Sequence, residues 1–271
     1  MPPIAWPPWV VMWSLAGAVF AGCKWLTWSR TPAPAAPAWR HAAYLLAWPG
    51  MDAKAFLDTR PLPPERRPGA GEWALAAAKS ALGVGLVWGA VRVVPACRPL
   101  LRGWVGMAGL VFLLHFGIFH LLGCGWRASG VDAEPLMNWP VLAKGVSDFW
   151  GRRWNTAFRD LTHRFLFRPL AVRLGPPAGL AAGFLFSGLV HDLVISVPAD
   201  GGYGRPTLYF ALQGLAILAE RSRFGRVLDL GAGWGRRLFT ALVVVGPVCW
   251  LFHPPFVLRV VLPFLEALRS I

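Results

Sequence analysis

Paired cysteines are missing from this chain. Its four cysteines, Cys23, Cys97, Cys124 and Cys249, stand far apart and form no CxxC pair, which argues against a disulfide framework and against a zinc site. Charge is scarce too: Asp, Glu, Lys and Arg make up 15% of the residues, and the apolar runs hold almost no ionisable group besides Lys79, His115, His120 and His191. A transport pathway lined by buried charges would need more. The formal charge of +14 forms no continuous basic stripe, so nucleic acid is set aside as a partner in favour of anionic lipid headgroups. No break in composition marks a second domain. The first apolar run, Trp9 to Trp25, lacks both a preceding basic residue and a small-residue cleavage site, so it is expected to stay as a helix.

What is present is apolar: 56% of the residues are hydrophobic and the mean hydropathy is +0.49. Several runs reach about 20 residues, the length of helix that crosses a bilayer. The expected fold is all-α, a polytopic transmembrane bundle of about seven to nine membrane helices, some short or re-entrant, with an interfacial amphipathic helix. It is read as one membrane-embedded domain over residues 1–271, with its motif-bearing region at 135–200. Apolar runs place spans at 9–26, 73–94, 103–123, 178–198, 206–219, 238–253 and 255–269, with shorter pieces at 41–51 and 135–147. Many of the 16 tryptophans lie near the ends of these runs, where amphipathic rings favour the headgroup layer. Arginine outnumbers lysine 23 to 4, and Ala, Gly and Pro are abundant. That composition, typical of a high-GC coding sequence, points to a bacterial inner membrane.

Basic residues gather at 92–102, 144–173 and 221–237, and the positive-inside rule would make all three cytoplasmic. The alternation closes if 135–147 returns the chain across the membrane.

The octapeptide DFWGRRWN runs from Asp148 to Asn155. Read as a helix, it puts Asp148, Arg152, Asn155 and Arg159 on one face and Trp150, Trp154, Ala157, Leu161 and Phe165 on the other. This pattern fits an interfacial anchor whose arginines meet lipid phosphates. It also fits an acyl-donor site in which Arg152, Arg153 or Arg159 meets phosphate groups. The two readings are compatible, and Asp148 with Arg152 is read as a local ion pair.

Further on, FLFSGLVHDL places His191 inside an apolar run, with Ser187 and Gly188 making its face small and slightly polar. An imidazole at membrane depth is costly and usually faces a cavity or a bundle interior. Its neutral form can accept a proton. The bland alternative is a packing histidine that donates to a backbone carbonyl. His115 and His120 could line the same cavity.

SDFWGRRWN at 147–155, FLFRPL at 165–170 and FLFSGLVHDL at 184–193 together resemble the membrane-bound O-acyltransferase superfamily, specifically its wax synthase-like branch. YLLAWPGMDAKAF at 44–56 and RRLFTALVVVGPVCWLFHPPFV at 236–257 extend the resemblance over most of the chain from about residue 40. By this resemblance the N-terminal region is expected to be shorter than in plant wax synthases. The resemblance implies a membrane enzyme that moves an acyl group from a thioester, acyl-CoA, to a lipid hydroxyl or fatty alcohol. It implies His191 and Asn155 as the catalytic pair. Donor contacts are expected from Arg152, Arg153, Trp154 and Arg159, and a cavity lining from Trp150, Ser187 and Gly188. No metal and no permanently bound cofactor are expected, acyl-CoA being a co-substrate; membrane lipids surround the chain, and a homo-oligomer is left open. The chemistry agrees: an alcohol attacks poorly until a base takes its proton, and an amide can donate to an oxygen that gains negative charge.

VLDLGAGWG at 227–235 imitates the Gly-rich turn of soluble S-adenosylmethionine methyltransferases. That fold needs several βαβ units after the turn, but only 36 residues follow Gly235, reading as two apolar helices. A Gly-rich cytoplasmic loop explains it better. The competing function classes are a non-catalytic lipid-binding or transport protein and, behind it, a membrane methyltransferase.

Overall fold

The computed structural model describes residues 6–33, 35–223, 225 and 233–271, and the regular structure among them is helical throughout. In chain order these are α1 (Pro8–Ser29), α2 (Ala38–Ala47), α3 (Ala53–Leu57), α4 (Pro64–Val93, regular from Ala70) and α5 (Pro99–Ala128). Next come α6 (Val146–Asp148, continued by Phe149–Arg153) and α7 (Thr156–Thr162, continued through His163–Phe167 and Arg168–Leu174). The series ends with α8 (Pro176–Ala199), α9 (Arg205–Arg221), α10 (Gly233–Leu251) and α11 (Pro254–Ala267). Prolines open α1, α8 and α11 in the first helical turn, where a missing N–H costs nothing.

Among the described residues, four helices, α1, α4, α5 and α8, are long and apolar enough to cross a membrane by length and composition, and the pair α10 and α11, bent by 58°, makes up to five. Large apolar side chains such as Leu185, Leu189, Leu215, Leu238 and Leu242 point outward. Such a surface suits hydrocarbon, where a helix satisfies all its backbone groups internally. The helical membrane class expected from hydropathy is therefore what forms, with fewer long spans than seven to nine. α9 has 17 residues yet runs antiparallel beside α8, with Phe210 against His191 and Gly214 against Phe184.

The bundle has two distinct ends. At one, Arg127 meets Glu72, Arg66 meets Asp132, Arg164 donates to the Arg30 carbonyl, and Arg236 meets Glu220. At the other, Arg92 donates to the carbonyls of Arg269 and Ser270, and Arg259 to those of Ala199 and Asp200. α4 and α5 join at this second end through residues 94–98.

Residues 135–147 do not cross. They hold one short turn of helix, Pro140–Leu142, between Trp139 in a left-handed conformation (φ 47°) and α6. Asn138 N–H donates to the Arg153 carbonyl, so this strap stays at the Arg-rich end. Two prolines and the acidic pair Asp132 and Glu134 explain why it makes no span. It follows that 92–102 and 144–173 lie at opposite ends and cannot both be cytoplasmic. The expected continuous amphipathic helix also breaks. Trp154 is extended and Asn155 left-handed (φ 41°), so α6 ends and α7 starts in a new direction.

Three apolar clusters hold the fold. One joins α4, α5, α8, α9 and α11 through Val87, Val91, Ile195, Phe210, Val260 and Leu265. A second, at the Arg-rich end, packs Tyr44, Trp48 and Phe56 on Val131, Leu136 and Ala157. The third seats Val146 of α6 on Ala216 and Ile217 of α9. The site lies between the first two.

Candidate active site

Asn155 sits where α7 begins, and its conformation suits its residue type, since Asn tolerates the left-handed region better than most side chains. Its Oδ1 accepts from Phe158 N–H at 3.3 Å, capping α7, and its own N–H points to Met137 Sδ at 3.3 Å. With Oδ1 used as acceptor, the Nδ2 amide keeps its two hydrogens for another partner.

His191 lies on α8 with Nδ1 at 2.7 Å from the Ser187 carbonyl. A carbonyl only accepts, so Nδ1 carries the proton and Nε2 keeps its lone pair. Nε2 has no hydrogen bond among the described residues. The bland reading, a histidine tied to a backbone carbonyl, is thus half right: the tie exists, and it fixes the tautomer a base requires.

The octapeptide and the histidine meet through α9. Phe210 packs on His191 with ring centroids 4.5 Å apart and on Trp150 at 5.5 Å. Trp150 also meets Phe184 edge-on and donates from its indole N–H to Gln213 Oε1 at 3.1 Å. Gln213, fully buried, donates in turn to the Val243 carbonyl of α10.

Two cavities converge here. The first, about 370 Å³, is lined by Trp150, Trp154, Asn155, Phe158, Arg159, Thr162, His163, Ser187, His191, Phe210 and Arg221. The second, about 660 Å³, is apolar, running between α1 (Trp13, Gly17, Phe20), Trp48 and α5 (His115, Phe119). Asn155, Phe158 and His191 line both. A third, polar chamber of about 750 Å³ holds Arg152, Lys79, Glu72 and Asp132, and it shares Arg159 with the first cavity.

The other expected site residues divide. Trp154 and Arg159 line the first cavity, as do Trp150 and Ser187, whose hydroxyl donates to the Gly183 carbonyl. Arg152 is exposed and faces the polar chamber. Arg153 lines none of these cavities; its Nε meets Asp148 Oδ2 at 2.6 Å and its Nη1 donates to the Trp139 carbonyl. Asp148 therefore pairs with Arg153 and not Arg152, because Phe149–Arg153 form a wide turn with an i to i+5 backbone bond, which shifts the expected helical register by one residue. Burial acts to raise the Asp148 carboxyl, but the Lys144 N–H and the Arg153 guanidinium outweigh it and hold the group below its usual range. Gly188 lines none of these cavities and lies against Thr207 of α9. Phe158, Thr162, Phe210 and Arg221 join the site without belonging to the residues expected there. Of these, Arg221 alone carries a signal in the sequence, the basic run that follows α9.

His115 lines the second cavity, whereas His120 is engaged elsewhere, 2.9 Å from Glu72 Oε1, with Arg127 on the same carboxylate at 2.5 Å. Residues 227–232 of the VLDLGAGWG segment lie outside the described residues. Gly233 to Gly235 open α10, and no strand flanks them among the described residues.

Fold and site define an all-helical integral membrane protein in which a histidine and an asparagine line two adjoining, mainly apolar cavities. Residues 133–212 match the family described as membrane bound O-acyl transferase family, and the resemblance to the wax synthase-like branch is borne out by the relatives. The chain is 32% identical over 159 residues to "Probable long-chain-alcohol O-fatty-acyltransferase 3" of Arabidopsis thaliana, covering 54% of this chain and 44% of that protein. Similarity to number 9 of the same series is 32% over 144 residues (48% and 42%), and to number 1 it is 36% over 112 residues (37% and 30%). The chain spans less than half the length of these relatives.

Proposed function

We propose that this protein is an O-acyltransferase that moves a fatty acyl group from acyl-CoA to the hydroxyl of a long-chain alcohol or similar lipid, and that residues 1–271 act as one membrane-embedded domain. The observation that carries this reading is the pair of cavities meeting at Asn155 and His191, with Nε2 of the histidine unused. The first cavity, with Arg159, Arg221 and Thr162 on its wall, suits the thioester. The larger apolar one suits the alcohol's hydrocarbon chain, which can arrive from the bilayer.

His191 Nε2 takes the hydroxyl proton as the alcohol oxygen attacks the thioester carbonyl. The Asn155 amide donates to the carbonyl oxygen as charge builds there. Collapse of the tetrahedral intermediate expels the thiolate, which the imidazolium reprotonates, and the ester leaves through the apolar side. Arg152 and Arg159 supply cations for the donor's phosphates at the Arg-rich end. Arg159 is paired with Asp160 but lines the first cavity and the polar chamber, whereas Arg153, held by Asp148, lines neither and is given no donor contact.

The excess of arginine at that end supports a cytoplasmic location for it. Cys97, exposed in the turn between α4 and α5, would then react with a membrane-impermeant maleimide from the outer side, and reaction from the cytoplasmic side alone would reverse the orientation. Only the Arg-, Ala-, Gly- and Pro-rich amino-acid composition suggests a bacterial inner membrane, and the matched relatives, which are plant proteins, lend it no support.

The test is ester synthesis by the purified protein from labelled acyl-CoA and a long-chain alcohol. Labelled ester is the expected product. Saturable lipid binding with no ester under any donor would favour a lipid-binding protein instead.

A further inference from the structure

α9 starts without a cap of its own. Its N-cap residue is Gly204, which has no side chain to accept from the first turn, and Pro206 removes one N–H. The missing acceptor comes from α8. Asp192, next to His191, receives four donors: Oδ1 accepts from Gly204 N–H at 2.8 Å and Ser196 Oγ at 2.8 Å, while Oδ2 accepts from Thr207 N–H at 3.1 Å and from the Thr207 hydroxyl. A carboxylate at a helix N-terminus also complements the helix dipole.

Thr207 and Phe210 stand three residues apart on one face of α9, and Phe210 is the ring packed at a tilt against His191. The contacts close a loop: His191 to Asp192 along the chain, Asp192 to Thr207 by hydrogen bonds, Thr207 to Phe210 along α9, and Phe210 back to the imidazole. Gly188, one turn earlier on α8, lets the helices approach, since a Cβ there would run into the Thr207 backbone.

Ser196 extends the anchor. Phe256 N–H donates to His253 Nδ1 at 3.2 Å, so Nε2 of this buried histidine carries the proton and donates to Ser196 Oγ at 3.2 Å, leaving the serine hydrogen for Asp192. The group contains Ser, His and Asp but not in nucleophilic order, because the histidine gives a proton to the serine instead of taking one.

We propose that Asp192 is a positioning residue for the His191 base: by capping α9 from α8 it fixes Phe210 against the imidazole and holds that ring where the two cavities meet. This rests on the acyl-transfer reading. The test compares wild type, Asp192→Asn, Thr207→Val and Thr207→Ser in detergent or bilayer discs. Asp192→Asn puts an amide nitrogen where an acceptor is needed. Its kcat is expected to fall by about 10- to 100-fold, as a small misplacement of a base does, while KM for acyl-CoA and alcohol stays within about threefold. Thr207→Val should show a smaller fall of the same kind, and Thr207→Ser, which keeps the hydroxyl, should restore it.

A readout free of turnover accompanies these: the rate at which diethyl pyrocarbonate modifies His191, followed on its peptide by mass spectrometry with His41 as control. It should change by at least about fivefold in Asp192→Asn if the local structure loosens, with His41 unaffected. If Asp192→Asn does not fold, Thr207→Val carries the comparison. An unchanged kcat, a rise in KM alone, or an unchanged His191 modification rate in the folded variants would overturn the proposal. Absence of ester in wild type would instead count against the acyl-transfer reading, while the modification rates still decide the role of Asp192.

Discussion

Two histidines in apolar helices have opposite surroundings. His120 of α5 sits 2.9 Å from Glu72 Oε1, and Arg127 bonds the same carboxylate, with Lys79 Nζ at 3.5 Å from its other ring nitrogen. His191 of α8 has, among the described residues, one tie, to a backbone carbonyl, and its second nitrogen is unused beside two cavities. A histidine with both nitrogens engaged by charged groups cross-links helices. One with a single neutral tether is held in one tautomer and remains able to accept a proton. Imidazoles of equal oddity in a hydropathy plot are thus separated by what their second nitrogen meets.

The contrast is challenged hardest at Asn155, which lines two cavities with His191 and is absent from the chamber that holds His120. Asn155→Asp preserves the left-handed conformation and the acceptor for Phe158 N–H but removes the amide hydrogens. Ester formation should fall by about 10²- to 10³-fold, the usual cost of losing a donor to a developing oxyanion, with little change in thermal stability. Retention of activity would leave Asn155 as a cap alone. A smaller effect belongs to the second cavity. Gly17 of α1 lines it, and a Cβ there meets open space, so Gly17→Phe should fill part of it without disturbing the core. Preference should shift toward shorter alcohols by about tenfold, the scale set by a few methylenes lost from an apolar pocket, measured in competition between two chain lengths; an unchanged ratio would move the acceptor out of this cavity. Least affected in turnover is His120→Ala. Losing its bond to Glu72 should cost about 1–3 kcal/mol of stability, seen as a lower Tm, while ester formed per folded molecule stays within about threefold of wild type.

Much of the fold and part of the site are legible in the amino-acid sequence itself. Hydropathy locates α1, α4, α5 and α8, because an apolar run of span length has few other uses. The motif residues His191 and Asn155 do line common cavities. What sequence patterns miss is set by contacts distant along the chain. The turn at Asn155 depends on Met137 and on the bond from Asn138 to Arg153, which no helical periodicity contains. A regular helical period likewise pairs Asp148 with the wrong arginine, because Phe149–Arg153 form a wider turn. Residues 135–147 are hydrophobic enough to suggest a return across the membrane, but Pro135, Pro140 and the acidic approach hold them at one end. Phe210 lies in an ordinary apolar run and gains meaning only from the antiparallel packing of α8 and α9. Gly188 suggests cavity space because small residues have two uses, opening a void or letting helices touch; beside Thr207 it serves the second.

The proposed mechanism turns on His191 as the base. Wild type and His191→Ala, reconstituted at equal folded amounts, are to be assayed for ester from acyl-CoA and a long-chain alcohol. A loss of about 10²- to 10⁴-fold is expected, the contribution of a positioned general base; equal rates for the two proteins would contradict that role.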